Sequence, residues 1–468
     1  MGMAFEIFSV AYLVPGSACE LLTTSSQQGL MAAVPLIGII ATSHFWGYLA
    51  DTRGRKKVLC LSMSLSFLSG SLAALSPDWI TFCLLKFLSS SAVSGAFALS
   101  MTLLSECTLE AKRSVLVILT SSVFLCCNGI MAMISIPVLP LQFSYYIPFL
   151  NIHFNSWRFL DLIFSLPSGL SVFALMFAYE SPRYLLNVGE NEKALEVLRS
   201  IFVINNNKSG EDYPVKSVVL DELSINQAAK GFIASVASQT VPLFRPPLLR
   251  NTILLAFIFV VVYICVHPFM VWLPYMVDGF MRSVQRDEEN MTFCQRLRAS
   301  QNTTVADEMD APCTMNQFAM TMVLSVTMLL ALINTVATAI INVFGRKRLF
   351  ITLQFCAAVA AMCVNYVYAW QFTAVLIITI MSGVINFGLL TSFTVDVFPT
   401  SVKAMAVCLT LMMGRGSAVF GVNLLKYLLD SDCETSFYLS ASMALLGGIV
   451  GFFLPREAKP PTADCPET

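Results

Sequence analysis

The chain has 468 residues, 56% of them hydrophobic and only 12% charged, with a formal net charge of −1 and a mean hydropathy of +0.73. Soluble globular chains carry roughly 25% charged residues, so this composition excludes a water-soluble fold. The near-zero net charge, with basic residues in short clusters rather than along a face, excludes a nucleic-acid partner. The fourteen cysteines lie mostly in apolar stretches, and none has the short paired spacing of a zinc site, so no metal or cofactor is expected.

A helix needs about 20 apolar residues to cross a hydrocarbon core of about 30 Å. A first, short candidate runs from Met3 to Cys19 and contains Glu6. A rival reading makes it a signal peptide cut near Gly16-Ser17-Ala18, but it lacks a basic n-region and has an acid inside the apolar core. Eleven longer runs follow, at about 29–49, 58–76, 79–105, 115–137, 159–179, 251–277, 317–344, 349–370, 372–395, 405–429 and 436–455. The expectation is an all-α membrane protein of about twelve transmembrane helices in two pseudo-symmetric six-helix bundles. Residues 1–179 form the first bundle, 180–250 a linker, 251–455 the second bundle and 456–468 a tail. Within the linker, Ala194, Leu195, Leu198 and Ile201 recur at helical spacing and predict an amphipathic helix over 191–202.

Basic residues orient the bundle. With the amino terminus inside, 20 of the 28 Lys and Arg fall on cytoplasmic segments, as the positive-inside rule requires, and both termini are cytoplasmic. The loop from Asp278 to Asn316 is then outside. It carries glycosylation sequons at Asn290 and Asn302, and a disulfide between its Cys294 and Cys313 is expected. A third sequon, at Asn207, falls on the cytoplasmic side and should stay unmodified.

The two halves repeat each other. Asp51-Thr-Arg-Gly-Arg-Lys-Lys after the second span is matched by Asn342-Val-Phe-Gly-Arg-Lys-Arg after the eighth, at an offset of 291. Glu106 with Arg113 is echoed by Asp396 with Lys403 at an offset of 290, which implies a parallel duplication about an axis along the membrane normal.

Gly47-Tyr-Leu-Ala-Asp51-Thr-Arg-Gly54-Arg55-Lys56 resembles the signature loop between the second and third helices of the major facilitator superfamily. Glu180-Ser-Pro-Arg183-Tyr-Leu-Leu resembles the signature after the sixth helix of its sugar and organic-ion branch, and Trp157-Arg158 fits the same branch. Leu13-Val-Pro-Gly-Ser-Ala-Cys19-Glu20-Leu and the glycosylatable outer loop are most similar to the synaptic vesicle glycoprotein 2-like subgroup. The resemblance covers nearly the whole chain. It implies two six-helix bundles, a central solute site and a first helix that is half complete at Met1. Asn342 departs from the family pattern, standing where the second signature loop usually has Asp.

A charge at the bilayer centre costs about 2.5–3.5 kcal/mol on insertion scales, so each intramembrane ion is a functional candidate. Glu6, Lys86 and Arg415 qualify. Glu6 on the first helix with Lys86 on the fourth resembles the acid and base of proton-coupled members of the branch; the structural alternative is a pair that locks two helices. Arg415, in Gly414-Arg415-Gly416, suits an anionic solute or a carboxylate partner. Asp51, Gly54, Arg55, Glu106, Arg113, Glu180 and Arg183, with Arg346, Asp396 and Lys403 in the second half, are expected to form an ion-pair gate at the inner face. His44 and His267 read first as packing residues, and Trp272 and Tyr275 as outer-gate candidates.

The expected function is secondary transport of a small organic solute, sugar-like or an organic ion, by alternating access, with protons as the candidate coupling ion. The partners are then the lipid bilayer and the solute, in a plasma or vesicle membrane. The alternative is a vesicle-type glycoprotein that keeps the fold for binding or trafficking without flux. No nucleophile and base, metal cluster or phosphate loop points to an enzyme.

Overall fold

In a computed structural model the described residues are 1–108, 110–206, 209–218, 240–284, 291–307, 316–398 and 402–455. Eight of the described helices are long and apolar enough to cross a membrane, and Trp79–Val93 and Ser122–Val138 are shorter apolar stretches. Of the other expected spans, the first and fourth are each divided into two helices, and the third and fifth are the single helices Arg55–Ala73 and Glu110–Val138.

The first span is two helices, α1 (Gly2–Phe8) and α2 (Val10–Ser17), meeting at Ser9. The second is α3 (Ser25–Arg53) and the third α4 (Arg55–Ala73). The fourth divides into α5 (Trp79–Val93) and α6 (Ala96–Glu106), the fifth is α7 (Glu110–Val138) and the sixth α8 (Ser156–Met176). A small antiparallel hairpin, β1 (Tyr145–Ile147) with β2 (Ile152–Phe154), lies between α7 and α8 and is the one departure from an all-helical plan among the described residues. Two short linker helices follow, α9 (Pro182–Asn187) and α10 (Asn191–Asn206), the second starting where the amphipathic pattern does and extending four residues beyond it.

In the second half α11 (Leu249–Val284) is the seventh span and α12 (Phe293–Asp307) lies in the loop that follows it. The eighth and ninth spans are α13 (Gln317–Phe344) and α14 (Arg346–Cys363). The tenth is α15 (Trp370–Met381) and α16 (Ile385–Val397), joined by a 3-10 turn at Ser382–Val384. The eleventh and twelfth are α17 (Lys403–Ser431) and α18 (Cys433–Gly451).

The helix starts are chemically marked. Thr24 and Gln27 form a reciprocal capping box at α3, Asp78 accepts the Thr81 N–H at α5 (2.7 Å), and Asn316 accepts the Phe318 N–H at α13 (2.9 Å). Gly54 and Gly345, 291 residues apart, both join successive spans with positive φ, +101° and +81°. Residues with a Cβ avoid such φ, so the repeat seen in sequence is a repeat of backbone geometry.

The first span, weakest by length and by its acid, is the most enclosed. Nearly all its side chains are buried against α5, α7, α8 and α11. A helix apolar all round belongs inside a bundle. The two halves meet along α3 with α17 and α7 with α13. Small residues let them approach: a Cβ on Gly29 would lie 2.8 Å from Asn423 Oδ1, and one on Gly129 would lie 2.7 Å from Thr327 Oγ1.

Candidate functional site: three clusters of charge

At the centre of the first half, Lys86 on α5 is buried with two carboxylates. Its Nζ lies 2.6 Å from Asp161 Oδ1 on α8 and 3.6 Å from Glu6 Oε2 on α1, and it donates to Ser9 Oγ at 3.3 Å. All three ionisable side chains are at most 2% exposed. The expected Glu6–Lys86 pair therefore exists, but Asp161 is the nearer partner and was not anticipated. Glu6 fits because Gly70 leaves room for it: a Cβ there would lie 2.5 Å from Glu6 Oε1. Ser9 marks the break between α1 and α2, where its hydroxyl returns to the Glu6 carbonyl at 3.0 Å.

At the opposite end of α3 from Gly54, Glu20 is clasped by the start of α8. Asn155 Nδ2 (2.5 Å) and Trp157 Nε1 (2.6 Å) donate to its Oε2, and Arg158 Nη2 donates to Oε1 (2.8 Å). Arg158 is fully buried; its Nη1 also donates to the carbonyls of Ala74 (2.9 Å) and Ser76 (2.7 Å). Glu20 and Trp157-Arg158 were singled out separately in the sequence, and the structure brings them together.

Where α3 gives way to α4, Arg55 Nε lies 3.5 Å from Glu106 Oε2, and Glu106 also accepts from the Ser181 hydroxyl. Glu180 Oε1 accepts the backbone N–H of Lys56 (2.9 Å) and of Ser181 (3.0 Å), so it caps the start of α4. Tyr184 lies under the Arg55 guanidinium at 5.5 Å; burial and the adjacent Glu180 carboxylate push its phenol up, keeping it a neutral donor to the Thr52 carbonyl. Arg183 is exposed on α9. In the second half Arg346 donates to Ser392 Oγ (2.6 Å) and stacks over Phe393, while Lys347 binds the carbonyls of Phe452 and Leu454. The side chains of Asp51, Arg113, Asp396 and Lys403 lie outside the described residues.

Gly54 is fixed by this cluster, since a Cβ would meet Glu180 Oε2 at 2.6 Å on top of its φ of +101°. Gly54→Ala is expected to destabilise by about 1–3 kcal/mol, read as a lower melting temperature in nanodiscs. Gly47→Ala, whose Cβ would meet nothing within 4 Å, serves as the neutral control. Equal melting of the two variants would dismiss the strained contact.

The expected Cys294–Cys313 disulfide is overturned, because Cys294 bonds Cys433 at the start of α18. The reason is packing. Phe293 stacks on Phe280 of α11 and meets the edge of Phe437 on α18, and Arg298 pairs with Glu434 at 2.6 Å, so α12 lies across the end of α11 and the start of α18. Cys19 is also disulfide-bonded, and Cys313 lies outside the described residues. Asn290 is outside them as well; Asn302 falls within α12 with its side chain undescribed.

Trp272 and Tyr275, the outer-gate candidates, form a box with a lysine that sequence reading passed over. Lys426 on α17 is 3% exposed, its Nζ 3.9 Å from the Tyr275 ring centroid and 3.0 Å from Asp430. Arg415, also on α17, is half-buried and makes no ion pair among the described residues. His44 is partly exposed on α3, whereas His267 lies buried between the halves, 6.3 Å from the Phe8 ring.

This architecture defines a multi-pass membrane protein of the major facilitator fold. The inward-open xylose transporter XylE of E. coli superposes with a TM-score of 0.68 at 15% identity, covering 98% of this chain and 95% of that one. Residues 6–270 match the family described as sugar (and other) transporter, and the chain belongs to that family. It is 25% identical to mouse synaptic vesicle glycoprotein 2B over 323 residues, 64% of this chain and 47% of the relative, so it spans about half the length of that protein. It is 24% identical to the putative transporter svop-1 of Caenorhabditis elegans over 465 residues, 98% of this chain and 81% of the relative.

Proposed function

We propose that the protein is a proton-coupled secondary transporter of a small organic solute, working by alternating access between two six-helix bundles, residues 1–179 and 251–455. The observation that carries this reading is Lys86 shared by two buried carboxylates. With both acids ionised the cluster has a charge of −1, and one proton makes it neutral. Low-dielectric surroundings favour the neutral form, so the cluster is a one-proton switch. Its state changes which acid holds Lys86 and, through Ser9, the join between α1 and α2. Phe8, beside that join, points toward His267 of the second half, so the proton-dependent face and the inter-half face share one helix break. The Arg55, Glu106 and Glu180 cluster acts as the inner gate, whose contacts must part for inward opening.

Glu6→Gln is the test, in proteoliposomes screened for uptake of sugars, organic cations and organic anions under an inward proton gradient. The expected result is uptake that no longer responds to the gradient while exchange persists. Wild-type gradient dependence in the variant would refute the coupling role.

Similarity to synaptic vesicle glycoprotein 2B favours a second reading, a glycoprotein of a vesicle membrane that uses the fold for binding or trafficking. In either case the distribution of Lys and Arg supports cytoplasmic termini and, with them, glycans on Asn290 and Asn302 outside. Absence of flux for every solute class from folded wild-type protein would select the second reading.

A further inference from the structure

We propose that a cleft in the second half, between α11, α17 and α18, holds one acyl chain of a bilayer lipid. The cleft has a volume of about 160 Å³. α17 lines it from Phe420 to Leu428, α18 from Ser436 to Met443, and α11 from Ile264 to Phe269. Side-chain size sets where the three helices part. α11 and α17 touch where Gly421 meets Pro268, since a Cβ on that glycine would lie 2.9 Å from Pro268 Cγ. α18 faces this seam with Ser436 and Ser440, which are too small to fill the space that remains. Tyr263 and His267, on the same stretch of α11, instead meet Phe387 and Phe8, so the cleft is separate from the face between the halves.

Depth and chemistry select the occupant. All three helices are long and apolar enough to cross a membrane. Leu428 and Ser436 lie three residues inside the adjoining ends of α17 and α18, about 5 Å deep at a rise of about 1.5 Å per residue, whereas Phe420 and Met443 lie about 15 Å deep. Half of a hydrocarbon core of about 30 Å is the same distance. The cleft therefore runs along the helix axes from near the membrane surface to its mid-plane, which is the course of an acyl chain. Its rim is open to the bilayer, with Phe420 61% and Leu439 40% exposed. No charged residue lines it, and its polar groups are turned away: the Cys265 thiol onto the Ser440 carbonyl (3.8 Å) and the Ser436 hydroxyl onto the Cys433 carbonyl (2.6 Å). A polar solute would lose its water there without gaining partners. An acyl chain gains van der Waals contact with three helices at once, contacts that an empty void would forfeit.

The experiment uses the full chain in phosphatidylcholine nanodiscs doped with a phosphatidylcholine that carries a diazirine in one acyl chain, with the crosslinked peptides read by mass spectrometry. Labelling is expected to be about threefold denser at the cleft than on the exposed stripe of Leu329, Leu332 and Val336 on α13. A diazirine near the ester should mark Leu428 and Ser436, and one near the methyl end Phe420 and Met443. Ser440→Leu fills the cleft and should bring its labelling down to that of the stripe. If that variant fails to fold, Leu428→Phe takes its place with the same expected result. Equal labelling of cleft and stripe, a reversed depth profile, or unchanged labelling in a folded Ser440→Leu or Leu428→Phe variant would overturn the proposal. Crosslinks between two copies of α17 or α18 in place of lipid adducts would also overturn it, giving the cleft to a second chain. None of these outcomes depends on flux, so the lipid site and the transporter reading stand or fall separately.

Discussion

Lys86→Met is expected to abolish solute uptake and to lower stability by about 3–5 kcal/mol, the usual cost of removing one partner from a buried ion pair. The reason lies in what remains. Asp161 is fully buried and Glu6 nearly so, with Lys86 as their shared cation at 2.6 and 3.6 Å. Without it, two acids must either bind protons or draw water between α1, α5 and α8. Replacing all three groups, as Lys86→Met with Glu6→Gln and Asp161→Asn, removes the stranded charges and should regain most of the melting temperature without restoring gradient-driven uptake. A single Lys86→Met variant that melts with the wild type would show that the cluster is not held by this cation.

Arg158→Ala is expected to cost about 3 kcal/mol, because it strips donors from two carbonyls and a carboxylate together. The guanidinium ties the Ala74–Ser76 turn, the Glu20 loop and the start of α8 into one corner, and it stacks on Trp157 with its central carbon 4.4 Å from the ring centroid. Glu20 is 28% exposed and can turn to water, which limits the loss; the two carbonyls have less freedom. Arg158→Lys should recover little, since a single ammonium cannot copy a fork that serves three acceptors. Thermal melting of both variants in nanodiscs decides it, and a fully rescued lysine variant would reduce the corner to a simple charge effect.

How much of this was legible beforehand depends on the kind of interaction. The spans were legible because twenty apolar residues in a row have few other uses, and the repeat because Gly54 and Gly345 need the same unusual φ in both halves. Glu6 and Lys86 stood out as charges in apolar company. Asp161 did not: it lies near the marked start of its span, three residues after Arg158, where an acid reads as interfacial. Only tertiary packing shows that it reaches the depth of Lys86. Lys426 was missed for a similar reason, close to the end of α17 yet capped by two rings. The disulfide went wrong because proximity in sequence stood in for proximity in space, and α12 folds back over α18 to reach a cysteine 139 residues away. The helix breaks at Ser9, Ser94–Gly95 and Ser382–Val384 carried no sequence mark strong enough to split an apolar run.

The docking of α12 has a mechanical consequence. Its disulfide to Cys433, its ion pair to Glu434 and its aromatic seat on Phe280 all attach it to helices of the second half. It is thus cargo on that bundle rather than a hinged flap, fixed to the second half at three points. A fluorophore attached to α12, paired with one on the β1–β2 hairpin of the first half, would form a ruler between the two bundles, and the proposed alternating access predicts that its distance changes when solute is added.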